Sequence, residues 1–192
     1  MNRQLWTASN FLSILRILLV IPIALLILSD GNSSRFYAVG LICIAALTDL
    51  FDGMLARRFN QITDLGKIID PLADKIAVIL ISVILTLKGK IAPWFLIVVM
   101  LRDMLIFFGG MYIRQSRGIL LQSTKTGKWA VTAVTAYILL TVLDLETFEN
   151  AKVVLMFASI LMLIVSFALY LKRFIDVMTD DKLTDLHKVT LL

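Results

Sequence analysis

Residues 36–56 read FYAVGLICIAALTDLFDGMLA. The stretch is apolar for most of its length, and its only charged residues, Asp49 and Asp52, fall near its end. A helix that crosses a bilayer needs about 20 mostly apolar residues. The stretch therefore predicts a membrane-spanning helix that presents two carboxylates close to one membrane surface, where ionisable groups usually have a function.

The composition extends this interpretation to the whole chain. Its 192 residues are 59% hydrophobic, above the roughly 45–50% typical of soluble domains. The polar residues occur in clusters between long apolar runs. We predict an all-α, polytopic membrane protein with six transmembrane helices in one bundle, at residues 11–28, 36–56, 70–88, 91–113, 129–145 and 151–172. Residues 1–175 would form one membrane domain, and residues 176–192 a polar cytoplasmic tail.

The charge pattern predicts the orientation of these spans. The net charge of +5 is explained by attraction to anionic membrane lipids, and we expect no nucleic-acid partner. With both termini cytoplasmic, the inner connections carry most of the Lys and Arg residues, as positive charge is retained inside. Residues 2–10, which include Trp6, are expected to lie along the inner interface as an N-terminal interfacial segment.

A second pair of carboxylates opens the third predicted span. Asp70 and Asp74 are four residues apart, and Asp49 and Asp52 three apart, so each pair projects from one helix face. Four facing carboxylates repel one another, and oxygen-ligated Mg²⁺ or Mn²⁺, as one or two ions, would relieve that repulsion. The alternative is that the aspartates are helix caps and interface charges, with Asp70 capping before Pro71.

Two further residues beside the first pair suit a phosphate ligand. Gly53 follows Asp52 directly and would let a ligand approach the helix backbone closely. Arg57, one turn further on, can direct a guanidinium at phosphate. Together with metal ions, they indicate a site for a phosphoanhydride at the cytoplasmic face. Helix packing for Gly53 and ordinary inside charge for Arg57 remain alternatives.

These residues carry a family resemblance. The pattern Asp49-x-x-Asp52-Gly53-x-x-Ala56-Arg57, then Gly66-x-x-x-Asp70-x-x-x-Asp74, resembles the signature of the CDP-alcohol phosphotransferases in every residue type and spacing. Residues 9–16 are similar to the N-terminal Pro-Asn-x-Leu-Thr-x-x-Arg stretch of that family, with Ser9 and Ser13 in place of Pro and Thr.

The resemblance implies an enzyme that transfers a phosphatidyl group from CDP-diacylglycerol to an alcohol and releases CMP. The metal ligands would be Asp49, Asp52, Asp70 and Asp74. Asp74 would also be the general base that takes the proton of the acceptor hydroxyl. The implied contacts to the CDP moiety are Asn10, Ser13, Gly53, Arg57 and Thr63. A homodimer is expected from the family.

The acceptor alcohol depends on a second set of residues. A phosphorylated acceptor such as glycerol 3-phosphate requires cations, and the candidates are Arg102, Arg114, Arg117, Lys125 and Lys128. In the alternative, Arg102 and Asp103 hold helices together and the others are topology charges. We favour phosphatidylglycerophosphate synthesis on chain length, simple architecture and the basic loop.

Cardiolipin synthesis, with phosphatidylglycerol as acceptor, is the first alternative. The family branch that makes phosphatidylglycerophosphate usually has Arg-Glu where this chain has Arg102-Asp103, and the Arg-Asp pair with residues 92–94 looks more like the cardiolipin branch. Inositol phosphate and serine are further acceptors to consider. A cation transporter is disfavoured because the carboxylates cluster at one surface and no paired broken helices are evident. A scaffold has no need of aspartates at fixed spacing.

Overall fold

The computed structural model describes residues 8–29, 31–58, 66–118 and 124–179, of which residues 8–14, 16–17, 49–58 and 66–74 are described by their helical backbone alone. Within these ranges the chain is built from α-helices, one 3₁₀ turn and no β-strand. The predicted all-α fold class is confirmed. The helices are α1 (Ala8–Leu28), α2 (Asn32–Arg58), α3 (Gly66–Leu87), α4 (Pro93–Arg117), α5 (Lys125–Leu143) and α6 (Glu149–Thr179), and the 3₁₀ turn is Glu146–Phe148.

Each predicted span falls on one of these helices, although several helices continue beyond the predicted ends. The extension is largest at α6, whose 31 residues correspond to about 46 Å of helix, more than the roughly 30 Å of a hydrocarbon core. Local chemistry sets some of the ends. α4 begins at Pro93, which tolerates the first helical position, and Gly118 follows its last residue with a φ of +69°, a conformation that glycine adopts without strain.

Three helical segments are long and apolar enough to cross a membrane, namely Pro93–Arg117, Lys125–Leu143 and Glu146–Thr179. Shorter apolar helical stretches occupy Leu18–Leu28 and Lys75–Leu87. Large apolar side chains are exposed along the spans, among them Phe107 and Phe108 of α4 and Leu161 of α6. Outward-facing apolar side chains on long helices match a lipid environment, and the chain is an integral membrane protein.

The chain divides into two units. Unit 1 comprises residues Met1–Ala92 and Ile138–Glu146, and unit 2 comprises Pro93–Tyr137 and Thr147–Leu192. Helices α1, α2 and α3 therefore belong to unit 1, while α4 and α6 belong to unit 2 and α5 contributes to both. The predicted boundary between a membrane domain and a tail at residue 175 stays a prediction, and residues 180–192 lie outside the described ranges.

In unit 1, α1 packs along both α2 and α3. Its buried residues Val20, Ile23 and Ile27 recur at helical spacing, so one stripe of α1 faces its neighbours. Among the side chains of α2 that the structure describes, Ala38 and Ala45 are buried, and small residues allow helices to approach closely in a membrane. The two helices that carry the aspartate pairs thus share α1 as a packing partner.

In unit 2, α4 packs against α6. The Tyr170 hydroxyl donates a hydrogen bond to the carbonyl of Ile106 at 3.0 Å. A Cβ added at Gly109 would lie 2.7 Å from that hydroxyl oxygen, so the tyrosine is seated where glycine leaves room. Tyr112 and Phe174 stack one turn further along, with ring centroids 6.4 Å apart. A glycine and three aromatic residues therefore contribute to the contact between α4 and α6.

Candidate active site

An ionic cluster marks one end of unit 1. The Asp144 carboxylate accepts from Lys90 Nζ at 2.7 Å and lies 3.2 Å from Arg35 Nη1. Arg35 Nη1 also donates to the Asp144 carbonyl at 3.2 Å. We call these three residues the Asp144 cluster. It joins the beginning of α2, the turn after α3 and the residue after α5.

A neighbouring contact fixes the directions of the helices. Lys88, directly after α3, donates from Nζ to the carbonyl of Ile27 at the end of α1, at 2.6 Å. The C-terminal ends of α1 and α3 therefore lie together. Since α2 follows α1 through a short turn and begins at the Asp144 cluster, it runs in the opposite direction.

This arrangement places both aspartate-bearing helix segments away from the Asp144 cluster. Asp49 lies about 21 Å along α2 from Arg35, and Asp74 lies about 21 Å along α3 from Lys88, at 1.5 Å per residue. The end of α2, the beginning of α3 and the beginning of α1 are thus at the same end of unit 1. The backbone is helical through all four aspartates, so the spacings of three and four residues each fall on one helix face.

Four of the other residues expected at the nucleotide site lie on helix segments at this same end of unit 1. Asn10 and Ser13 lie in the first turns of α1, and Gly53 and Arg57 in the last turns of α2. Thr63 lies outside the described residues, as do the side chains of these four residues and of the aspartates. Among the side chains that the structure does describe, no three acidic, histidine or cysteine residues come together as a metal site. The ligand set therefore stays a prediction.

Of the residues expected at the acceptor site, Arg102 has the most enclosed surroundings. Its side chain is 12% exposed in the interior of α4. Nη1 donates to the Asp103 carboxylate at 2.7 Å, and Nη2 donates to the Ser166 hydroxyl of α6 at 2.6 Å. Nε is buried and has no hydrogen-bond partner among the described residues. Two of the five N–H groups of this guanidinium thus bond within the protein, and the others can donate to a ligand.

The remaining cations lie elsewhere in unit 2. Arg114 is exposed, and along α4 it is about 18 Å from Arg102. Arg117 donates from Nη2 to the carbonyl of Met178 at 2.9 Å, where it satisfies a carbonyl in the last turn of α6. Lys125 and Lys128 are exposed in the first turn of α5. The structure thus separates Arg102 from Arg114 and Arg117.

Two residues beside Arg102 were not anticipated from the sequence. Ser166 is 1% exposed and accepts from the guanidinium, yet a serine within an apolar run gives no distinctive signal. Gly127 is buried in the first turn of α5, and a Cβ there would lie 3.6 Å from Arg102 Nη2. From the sequence, only the neighbouring Lys128 is a candidate. The contact with glycine depends on helix packing that sequence spacing does not reveal.

Comparison with known proteins gives a consistent result. A profile of CDP-alcohol phosphatidyltransferase matches residues 6–169. A protein of Cereibacter sphaeroides named CDP-diacylglycerol–glycerol-3-phosphate 3-phosphatidyltransferase is 33% identical over 133 residues, 67% of this chain and 59% of the relative. One of the same name from Rickettsia typhi is 36% identical over 98 residues, 50% of this chain and 54% of the relative.

A human protein named cardiolipin synthase (CMP-forming) is 36% identical over 110 residues, 57% of this chain and 36% of the relative. The chain thus spans little more than half the length of the two bacterial relatives and about a third of the human one. The family profile nevertheless covers both aspartate pairs, the N-terminal stretch and most of α6. This chain belongs to the CDP-alcohol phosphatidyltransferase family.

Proposed function

We propose that the chain transfers a phosphatidyl group from CDP-diacylglycerol to glycerol 3-phosphate, forming phosphatidylglycerophosphate and releasing CMP. The observation that carries the proposal is the placement of two aspartate-bearing helix segments at one end of unit 1, with the family signature running through both. The names of the two bacterial relatives give the same reaction.

The donor set at the aspartate end suits a hard divalent cation. Asp49, Asp52, Asp70 and Asp74 offer carboxylate oxygens, which Mg²⁺ and Mn²⁺ prefer. Thiolate and imidazole ligands are scarce, because the chain has one Cys and one His, and Cys43 is exposed on α2. Members of the family generally use a divalent metal. One or two such ions would neutralise charge on the phosphoryl oxygens and on the leaving CMP.

The protein residues would perform the remaining steps. Asp74 takes the proton of the acceptor hydroxyl as that oxygen bonds to the β-phosphorus of CDP-diacylglycerol. The bond from the β-phosphorus to the bridging oxygen breaks, and CMP leaves with the electron pair. Gly53 leaves room for the diphosphate beside the helix backbone, and Arg57 binds its charge.

The nucleotide and the acceptor need further contacts. Asn10, Ser13 and Thr63 would complete the site for the CDP moiety. Arg102 would bind the phosphate of the acceptor, since its guanidinium has donors that the described residues leave without a partner. The other four cations would attract the anionic acceptor or lipid headgroups. They are Arg114, Arg117, Lys125 and Lys128.

The arrangement in the membrane is also part of the proposal. Six helices would cross the bilayer with both termini and the aspartate end cytoplasmic. Support comes from helix length: the aspartates lie about 21–27 Å along α2 and α3 from Arg35 and Lys88, most of the roughly 30 Å of a hydrocarbon core, so the two ends lie towards opposite surfaces. The excess of Lys and Arg on the connections at the aspartate side agrees with inside positive charge. We also propose a homodimer, as the family suggests.

A second acceptor is supported by specific observations. The ion pair between Arg102 and Asp103, in place of the Arg-Glu usual in the glycerol 3-phosphate branch, favours phosphatidylglycerol. The similarity to a cardiolipin synthase favours it too. In that case the reaction at the β-phosphorus is the same, and cardiolipin is the product.

The test is CMP release by the purified full chain with CDP-diacylglycerol in mixed micelles, with either glycerol 3-phosphate or phosphatidylglycerol added. We expect CMP and phosphatidylglycerophosphate with glycerol 3-phosphate. Cardiolipin formation with phosphatidylglycerol alone would replace the favoured acceptor with the alternative. No CMP release with any acceptor, including serine and inositol phosphate, would refute the proposal.

A further inference from the structure

The guanidinium of Arg102 is held by partners on its own and a neighbouring helix. Nη1 bonds to Asp103, the next residue of α4, and Nη2 bonds to Ser166 on α6. An arginine has a flexible stem but a planar, rigid fork of five N–H groups. Fixing both Nη atoms therefore fixes the plane of the fork and the directions of its other donors.

The contact with Ser166 is the one that comes from another helix. The serine is 1% exposed, so water does not compete for its oxygen. The partner is a charged donor at 2.6 Å, and hydrogen bonds to charged groups are the stronger ones. Asp103 neutralises the arginine, whereas Ser166 determines where the guanidinium sits relative to α6.

The first turn of α5 limits the space on a third side. A Cβ added at Gly127 would lie 3.4 Å from Ser166 Oγ and 3.6 Å from Arg102 Nη2. The Gly127 N–H donates to Thr124 Oγ1 at 3.0 Å, which caps the helix and holds this turn in place. The guanidinium therefore has little freedom to leave the position that Ser166 defines.

We propose that Ser166 is a positioning residue for the acceptor, which holds the Arg102 guanidinium so that its remaining N–H groups bind an anionic phosphate oxygen. This inference rests on the proposed function, in which Arg102 binds the acceptor phosphate. Two of the five donors are used within the protein, and Nε is buried without a partner among the described residues. An anionic oxygen of the acceptor would be the partner of the remaining guanidinium N–H groups.

The matched control lies on the same helix. Ser159 is also fully buried, at 0% exposure, and its hydroxyl donates to the carbonyl of Leu155 at 2.6 Å. It has no bond to Arg102. Ser159→Ala and Ser166→Ala each remove one buried hydroxyl from α6, and only Ser166→Ala removes a contact to the guanidinium.

The test is steady-state CMP release by the full chain, with KM measured separately for CDP-diacylglycerol and for the acceptor that supports turnover. Ser166→Ala is expected to raise the acceptor KM about tenfold, the effect of losing a hydrogen bond to a charged group, with the KM for CDP-diacylglycerol within about twofold. Ser159→Ala is expected to leave both within about twofold. In an Arg102→Ala background, Ser166→Ala should have no further effect, because coupled residues are not additive.

The inference is overturned if Ser166→Ala and Ser159→Ala change the acceptor KM equally, or if Ser166→Ala raises both KM values equally. In either case, turnover by the wild-type chain leaves the proposed function intact. A full Ser166→Ala effect that persists in the Arg102→Ala background also overturns it. Absence of turnover in the wild-type chain refutes the proposed function and the inference together. If Ser166→Ala does not accumulate in the membrane, Ser166→Cys replaces it with the same expectation, since sulfur is a weak acceptor of similar size.

Discussion

The two ends of unit 1 use carboxylates in opposite ways. At one end a single carboxylate, Asp144, lies between Lys90 and Arg35, so its charge is neutralised within the protein. At the other end, two helix segments each bring a pair of aspartates. The first arrangement ties together segments that are far apart in the chain. The second concentrates negative charge that suits a ligand.

The comparison indicates why each end has its residue types. A carboxylate that is paired with two bases stabilises a fold, and the more so when it is shielded, as Asp144 is at 13% side-chain exposure. Paired acids on adjacent helix turns repel one another and gain stability only when a cation binds. We therefore expect changes at one end to alter folding, and changes at the other to alter chemistry.

The largest expected effect is that of metal removal. With EDTA in excess, CMP release should fall by about 1000-fold, because the phosphoryl charge loses its main stabilising partner. Mg²⁺ or Mn²⁺ in excess of the chelator should restore it. Full turnover in EDTA would contradict the assignment of the four aspartates as metal ligands.

The next largest effect should come from Asp144→Asn. Asparagine tolerates the φ of +49° found at Asp144, so the substitution removes the charge without straining the turn. We expect a loss of about 1–3 kcal/mol in unfolding free energy, seen as a fall of about 5 °C in the midpoint of thermal unfolding. Turnover per folded molecule should stay within about twofold of wild type. A large loss of turnover with an unchanged midpoint would reverse the assignment.

A smaller effect is expected at Lys90, and its size shows how much this residue contributes to the Asp144 cluster. Lys90→Met removes the ammonium and keeps most of the side-chain length. The Lys90 side chain is 39% exposed and Arg35 still pairs with Asp144, so the loss should be about 0.5 kcal/mol. Thermal unfolding in detergent measures it. A loss as large as that for Asp144→Asn would mean that Lys90 is the main partner.

The sequence was informative where the signal is local. Each of the six apolar runs predicted a helix, since length and hydrophobicity act without reference to partners. The aspartate signature was readable because spacings of three and four residues identify one helix face. The helix ends were less accurate, as α6 shows, because a helix can continue past the membrane into polar residues.

The contacts that depend on packing were not predicted. The bonds of Asp144 join residues that are 54 and 109 positions apart, and the bond from Arg102 to Ser166 joins residues 64 apart. Arg102 itself was identified because a charge within an apolar run is costly. Its partner serine carries no such cost and therefore gives no signal.

If the two ends of unit 1 divide chemistry from structure, two variants should separate turnover from stability in one paired measurement. Turnover per mole of folded protein and the midpoint of thermal unfolding are measured together on wild type, Asp74→Asn and Asp144→Asn. We predict that Asp74→Asn loses about 1000-fold in turnover, the scale of general base catalysis, with a midpoint within about 2 °C of wild type. Asp144→Asn should show the reverse. Near-normal turnover in folded Asp74→Asn protein would contradict the account.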